Sequence, residues 1–441
     1  MCFAMFRHVL TLLLAITLAG TAAAQTGLRI EQWTTAAGSR VLFVRAPSIP
    51  MLDINLDFDA GGRHEPSGKA GLASLTMAML AKGAAGMDEA AIALAFAQIG
   101  AQRGGGASDD RASFSLRTLT SPDELSKAVE LSARILGSPQ FPQAVFAREK
   151  ERIASSLKES LTKPESIVRR TFSQLAYAQH PYGVDLTIES VNGLSRDDMA
   201  AFFRQRYNAK STVVAMIGAI SRVQAQEIAD KLTGALPNAS QAQSAATVSA
   251  VVRPERAIER RIAHPASQSH ILIGAPAIAR GDPDFFALIV GNYILGGGGL
   301  VSRLSDEVRE KRGLAYSVSS SFSPALDPGP FTISLQTRKE QTDQALSVVR
   351  DTVASFLKDG PSDAELAAAK ANLVGGFALR IDSNRKILDN LSVIGYYQLP
   401  LDYLDTWSGN VARVSTADIR AAFARHVQLD RLITVVVGAG S

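Results

Sequence analysis

Two stretches of the chain say the same thing: LSRDDMAAFFRQRYNAKSTVVAMIGAI at residues 194–220 and VSTADIRAAFARHVQLDRLITVVVGAG at residues 414–440. They align without a gap at an offset of 220 residues (194 to 414), with Ser195 and Ser415, Asp198 and Asp418, Phe203 and Phe423, and Gly218 and Gly438 in register. Each copy reads as a helix followed by a short β-branched strand ending at glycine. The serine is the helix cap, because its hydroxyl accepts one of the orphan backbone N–H groups of the first turn. A repeated helix-strand unit signals a repeated domain.

Working outward, the repeat divides the chain into halves of about 210 residues. Between them lies NASQAQSAATVSA at 238–250, a polar, small-residue run without apolar period, followed by Val251, Val252, Arg253 and Pro254. Residues 238–257 therefore read as a linker between domains at 25–237 and 258–441. Each half mixes strand-like segments (52–58, 112–119, 270–274 and 331–337) with long alanine-rich helical segments. The fold class is α+β, two similar domains on one chain.

The first 24 residues carry Arg7 and His8, an apolar run from Val9 to Leu18, and Ala22-Ala23-Ala24 before Gln25. This is the layout of a cleaved secretory signal peptide, which directs the chain to the periplasm; the apolar run is shorter than the roughly 20 residues that span a bilayer. The single cysteine, Cys2, falls inside it, so packing rather than disulfides must stabilise the mature chain. Lys plus Arg number 46 against 42 acidic residues. That balance gives no reason to expect nucleic acid or an anionic membrane as partner.

The stretch NYILGGGGLVSRLSDEVREKRGLAYSV at 292–318 resembles the carboxy-terminal signature of the pitrilysin-type (M16) zinc peptidases. The amino-terminal half keeps that family's frame, Gly61-Gly62-Arg63-His64-Glu65 and Gly71-Leu72-Ala73, but not its HxxEH box. The resemblance implies a clam-like pair of similar domains enclosing a peptide chamber. A catalytic zinc needs three protein ligands, an open position for water and a general base. Here Ser74 and Ala78 stand at the histidine positions, Met77 at the base and Ser156 at the third ligand. Glu149 matches a second acidic position of the family helix and reads as a solvated helix charge. His64, His180, His264, His270 and His426 form no i, i+4 pair. No metal is expected on this chain.

In the second half the resemblance carries residues that face substrate. Arg309 and Tyr316 match an arginine and a tyrosine that the family aims across the chamber, where a guanidinium and a phenol stabilise a developing oxyanion. Arg309 falls in the last turn of a helix running from about Ser302 to Gly313, and Tyr316 opens the next strand. Gly296 to Gly299 lack the Gly-Lys-Ser/Thr of a nucleotide loop and read as a hinge or close helix approach. Family members also bind peptide by adding it as a strand to a sheet edge, here residues 100–119. Asp110 matches the acidic position of that segment. Gly104 and Gly105 replace Asn-Ala and Ala107 replaces threonine, so the segment reads as a flexible turn. Gly104, Gly105, Gly297 and Gly298 are the substrate-binding positions that the resemblance assigns.

The family includes two-chain peptidases that divide HxxEH and the Arg/Tyr pair between subunits. The expectation is a metal-free periplasmic subunit, inactive alone, that pairs with an HxxEH-containing homologue bearing the zinc and acts on peptides; whether it forms a homodimer when alone is left open by the sequence. The alternative is a catalytically inert peptide-binding or assembly protein. A stand-alone serine hydrolase would rest on Ser74, around which no His and Asp partners can be placed.

Overall fold

A computed structural model describes residues 27–238 and 248–438. The signal-peptide reading of residues 1–24 and residues 239–247 of the linker lie outside the described residues.

Six strands of the first half, β1 (Glu31–Thr34), β2 (Arg40–Arg45), β3 (Met51–Phe58), β6 (Gln102–Ala107), β7 (Ala112–Leu119) and β8 (Thr212–Gly218), form one sheet in the order β1-β2-β8-β3-β7-β6. A two-residue ribbon of β4 (Gly83–Ala84) and β5 (Met87–Asp88) stands apart. The second half builds a five-stranded sheet from β9 (Ile258–Ala263), β10 (Gln268–Ile278), β11 (Ala315–Phe322), β12 (Gly329–Arg338) and β13 (Ile433–Gly438), in the order β11-β12-β10-β13-β9. Without β1 the first sheet has the same topology read in reverse. Among the described strands of the two sheets, β2 with β8 and β9 with β13 pair in parallel and the other neighbours are antiparallel. The strand of each repeat is thus the equivalent central strand. The helices before them, Arg196–Arg206 and Thr416–His426, both open with a reciprocal capping box, Ser195 with Asp198 and Ser415 with Asp418.

Central strands β8 and β13 are buried along nearly their whole length, as VVAMIG and ITVVVG require when both sheet faces are covered. One face of each sheet is covered by a helix from the other half. Helix Asn384–Tyr396 lies on β2, β3 and β8, and helix Pro164–Ala176 lies on β10 and β13. Leu42, Val44, Ala215 and Ile217 of the first sheet share a core with Ile387, Leu391 and Ile394. Val168, Phe172 and Ala176 share one with Leu272, Ile433, Val435 and Val437. At about 1.5–3 kcal/mol per fully buried large apolar side chain, each exchanged helix contributes several kcal/mol to its host sheet. A Cβ at Gly395 would lie 2.6 Å from Val213, so glycine sets how closely the helix approaches. The exchange obeys the repeat: these helices begin at 164 and 384 and end at 176 and 396, the same 220 residues apart.

Asp110 joins the halves. It is 3 % exposed and accepts hydrogen bonds from the hydroxyls of Tyr182 and Tyr397 and from the backbone N–H of Leu326. Arg63 stands 3.9 Å from it and 3.3 Å from Asp327, which also meets His180. Asp110 is therefore spent on the domain junction.

Candidate functional site

Helix Leu72–Met79 carries the degenerate zinc box. Its start is fixed by Glu65, whose carboxylate accepts the N–H groups of Gly71 (3.1 Å) and Ala73 (2.7 Å). Burial outweighs those bonds and leaves the Glu65 carboxyl above its ordinary range. The Gly-x-Arg-x-Glu frame thus serves as a helix-capping device. Ser74 and Ala78 are exposed and line a cavity of about 470 Å³. Met77 points the other way, 6 % exposed, with the Tyr207 hydroxyl 3.8 Å from its sulfur; a Cβ at Gly105 would lie 2.5 Å from its methyl. The position of the family's general base is a core plug. Ser156 is exposed one turn beyond the lining residues Arg152 and Ile153 of helix Gln143–Ser160. With serine, methionine, alanine and serine at the four positions, the donor set does not fit a catalytic zinc.

Glu149 corrects the expectation of a solvated charge. It is buried, takes hydrogen bonds from Arg152 (2.8 Å) and Arg148 (2.9 Å), and has the Lys82 ammonium 3.6 Å away. Glu89 pairs with both Lys82 and Arg148, closing a five-residue network that ties helix Gln143–Ser160 to Lys82, in the turn after the box helix, and to Glu89 at the start of helix Glu89–Gln98. Burial pushes the Glu149 carboxyl up, but Arg152, Arg148 and Lys82 outweigh it and hold it below the usual range.

The second feature is the Arg309 region. The helix expected from about Ser302 to Gly313 is wound as a π-helical turn at Ser305–Glu310, and a first π-helical turn, Tyr293–Gly297, lies upstream of it. Single π turns of this kind recur at functional sites. The glycines let the first turn press on β11: a Cβ at Gly296 would lie 2.4 Å from the Ser320 hydroxyl, and Asn292 exchanges hydrogen bonds with Ser320 (2.7 and 3.0 Å). Leu304 and Val308 are buried beneath the second turn, and Arg309 turns outward. Gly313, at φ +60°, reverses the chain into β11. A register shift between Ala315 and Val318 frees Tyr316 from the ladder and leaves it 85 % exposed. The Arg309 guanidinium carbon lies 5.3 Å from the Tyr316 ring centroid, and Glu310 holds the same guanidinium at 3.4 Å. Gly297, Leu300 and Val301 are exposed, and Gly298 is half-buried. No residue of the second half lines the cavity at Ser74.

Residues 102–107 are not a flexible turn but the edge strand β6, paired to β7 from Gln102–Arg117 to Ala107–Ala112. Gly104 and Gly105 lie in the middle of this edge, where the far side carries no strand. Elsewhere, Asp282, Asp284 and His426 bring ligand atoms within 4.8 Å of one another. Arg425 already grips Asp284 with two bonds (2.6 and 2.8 Å) and His426 adds a third (2.9 Å), so the cluster is a satisfied ion network.

Comparison with known proteins places this geometry. The profile of the insulinase group (peptidase family M16) matches residues 40–188, and that of the M16 inactive domain matches residues 193–373. The crystal structure of a peptidase M16 inactive domain from Pseudomonas fluorescens is 36 % identical and superposes with a TM-score of 0.89, over 94 % of this chain and 99 % of that one. The chain belongs to the M16 peptidase family. Among curated relatives of this M16 protein, an uncharacterized zinc protease, YmxG of Bacillus subtilis, is 26 % identical over 82 % of this chain and 87 % of its own length. The non-peptidase homolog YmxG of Helicobacter pylori is 25 % identical over 98 % of both. The periplasmic protease PqqL of Escherichia coli shares the fold at a TM-score of 0.78 and 15 % identity, with this chain spanning 46 % of it. The fold is thus that of the inactive type of M16 domain. No described helix is long and apolar enough to cross a membrane.

Proposed function

We propose that this chain is the metal-free subunit of a periplasmic two-chain M16 peptidase, presenting Arg309 and Tyr316 to the zinc site of an HxxEH-bearing homologue. The observation that carries the reading is a separation. Arg309 and Tyr316 lie together on an exposed surface, while the cavity of this chain's own degenerate box takes no residue from the second half. A half-site of this kind does chemistry only when another chain completes it. On a peptide carbonyl under attack, a charged guanidinium and a phenol donor stabilise the negative charge that builds on oxygen. The open edge of β6 at Gly104 and Gly105 offers backbone groups to an extended peptide, and Gly297 and Gly298, where a Cβ would meet Asn292 and Tyr293, are assigned to substrate by the family resemblance alone. The apolar amino-terminal run and the periplasmic address of PqqL support the compartment.

Copurification with an HxxEH-bearing M16 chain, followed by metal analysis, tests the division of labour. The expected result is one zinc per pair and none in the isolated chain. Zinc bound to the isolated chain, or failure to pair, would sink the reading. The name of the H. pylori relative favours a second reading, an inert peptide-binding or assembly protein. Under it a pair forms but Arg309 is dispensable for cleavage.

A further inference from the structure

His180 sits where the two halves meet, 3 % exposed, and both of its ring nitrogens are engaged. Nδ1 accepts the backbone N–H of Tyr182 at 3.2 Å, so it carries no proton. Nε2 lies 3.3 Å from the carboxylate of Asp327, in the turn between β11 and β12 of the other half, and supplies the proton of that contact. A second proton, on Nδ1, would set two donors against each other. The same turn makes the other contacts across the junction. The N–H of Asp327 donates to the Tyr182 hydroxyl (3.3 Å), that of Leu326 to Asp110 (2.9 Å), and the Tyr177 hydroxyl donates to the carbonyl of Pro328 (3.1 Å).

Asp327 and Asp110 favour a charged ring, and Arg63 opposes it. Tyr177 and Tyr182 flank the ring, with centroids 6.1 and 4.3 Å away. Tyr396 and Tyr397, at the end of the exchanged helix, bind Asp110 instead, while His64 and Arg170 are engaged by Asp59 (2.6 Å) and Asp185 (3.9 Å). Burial outweighs the two carboxylates and holds His180 below the ordinary histidine range. Asp109 is pushed up to about 6 by burial and by Asp110 and Asp185, so it takes its proton with the halves docked and works against release.

We propose that His180 is an acid-released latch between the two halves: a proton on Nδ1 displaces the Tyr182 N–H and frees the β11–β12 turn from the first half, while the exchanged helices keep the domains together. The released ring has the ordinary value of about 6.5 and the docked ring a lower one. Docking is therefore fully present above about pH 6.5, and the opening equilibrium rises about tenfold for each pH unit below it. The latch is built from this chain alone and is independent of the subunit reading.

Hydrogen exchange at the amides of Tyr182, Leu326 and Asp327, corrected for the intrinsic pH dependence of exchange, tests it on the mature chain and on His180→Asn. Asparagine keeps an acceptor for the N–H two residues on, as in an Asx turn, but does not titrate. The ratio of opening constants, parent over variant, cancels the Asp109 contribution that both share. It should rise about tenfold from about pH 6.5 to about pH 5.5, with the amides of β8 and β13 unmoved. A ratio that stays constant overturns the inference, as does loosening of β8 and β13 in step with the junction. If the variant fails to fold, the histidine-ring NMR titration of the parent decides: a His180 value below about 6.5 supports the latch, and one at or above it overturns it.

Discussion

The hydroxyl of Tyr397 donates to the carboxylate of Asp110 at 3.0 Å, across 287 residues of chain and from one domain to the other. With Tyr182, Leu326 and Arg63 on the same carboxylate, Asp110 is a buried anion whose partners come from both halves. Removing one member of such a group leaves the others buried and unpaired, at a cost of about 3 kcal/mol. Asp110→Ala is expected to lower stability by that amount in urea titration. The two domains are also expected to unfold in a single transition, before and after the substitution. Two separated transitions in the unsubstituted chain would contradict the coupling.

Helix exchange makes a stronger claim about the halves. Residues 27–238 alone expose Leu42, Val44, Ala215 and Ile217, which helix Asn384–Tyr396 covers in the whole chain. Expressed separately, each half should aggregate; expressed together, they should form a soluble complex with the melting behaviour of a folded protein. Size-exclusion chromatography decides it, and a soluble monomeric half would show that the exchange is dispensable.

Glu149→Ala removes the acceptor that Arg148, Arg152 and Lys82 share. Arg148 and Arg152 keep solvent contact, so the loss is smaller than for a fully buried group, at about 2 kcal/mol. A fall in melting temperature, without a change in peptide cleavage by a reconstituted pair, is the expected outcome. An unchanged melting temperature would mean that the network is ornamental.

Glu365 supplies the pH test. The bidentate guanidinium of Arg303 holds its carboxyl down to about 2, with the N-cap contacts of Ser362 adding to the effect. Its folded value lies below the unfolded one of about 4.3. The stabilisation is therefore fully present above about pH 4.3 and is lost as pH falls toward 2. Stability of Glu365→Gln should fall less steeply than that of the parent across that window, and parallel curves would remove Glu365 from the acid response.

Much of this was legible in the sequence, and the failures have physical causes. The 220-residue repeat and the caps at Ser195 and Ser415 are local signals, and they reappear as equivalent strands and capped helices. The apolar face of 384–396 shows that this helix is buried but not against which sheet, so the exchange stayed hidden. Glycines at 104–106 weaken strand propensity, yet pairing with β7 overrides them. Glu149 read as solvated because Lys82 lies far off in sequence. For the site, the family motif pointed to Arg309 and Tyr316. Only the fold shows that a π-helical turn and a strand irregularity set the guanidinium on the ring.

The central claim is that this chain supplies half of an active site to another. The most direct measurement is kcat/KM for peptide cleavage by the reconstituted pair with Arg309→Ala or Tyr316→Phe, at confirmed one-to-one assembly. Loss of one preorganised oxyanion donor costs about 10²–10³ in rate, so each variant should fall by that order while pairing and zinc content stay constant. Unchanged kcat/KM in both variants, with the pair intact, would contradict the account.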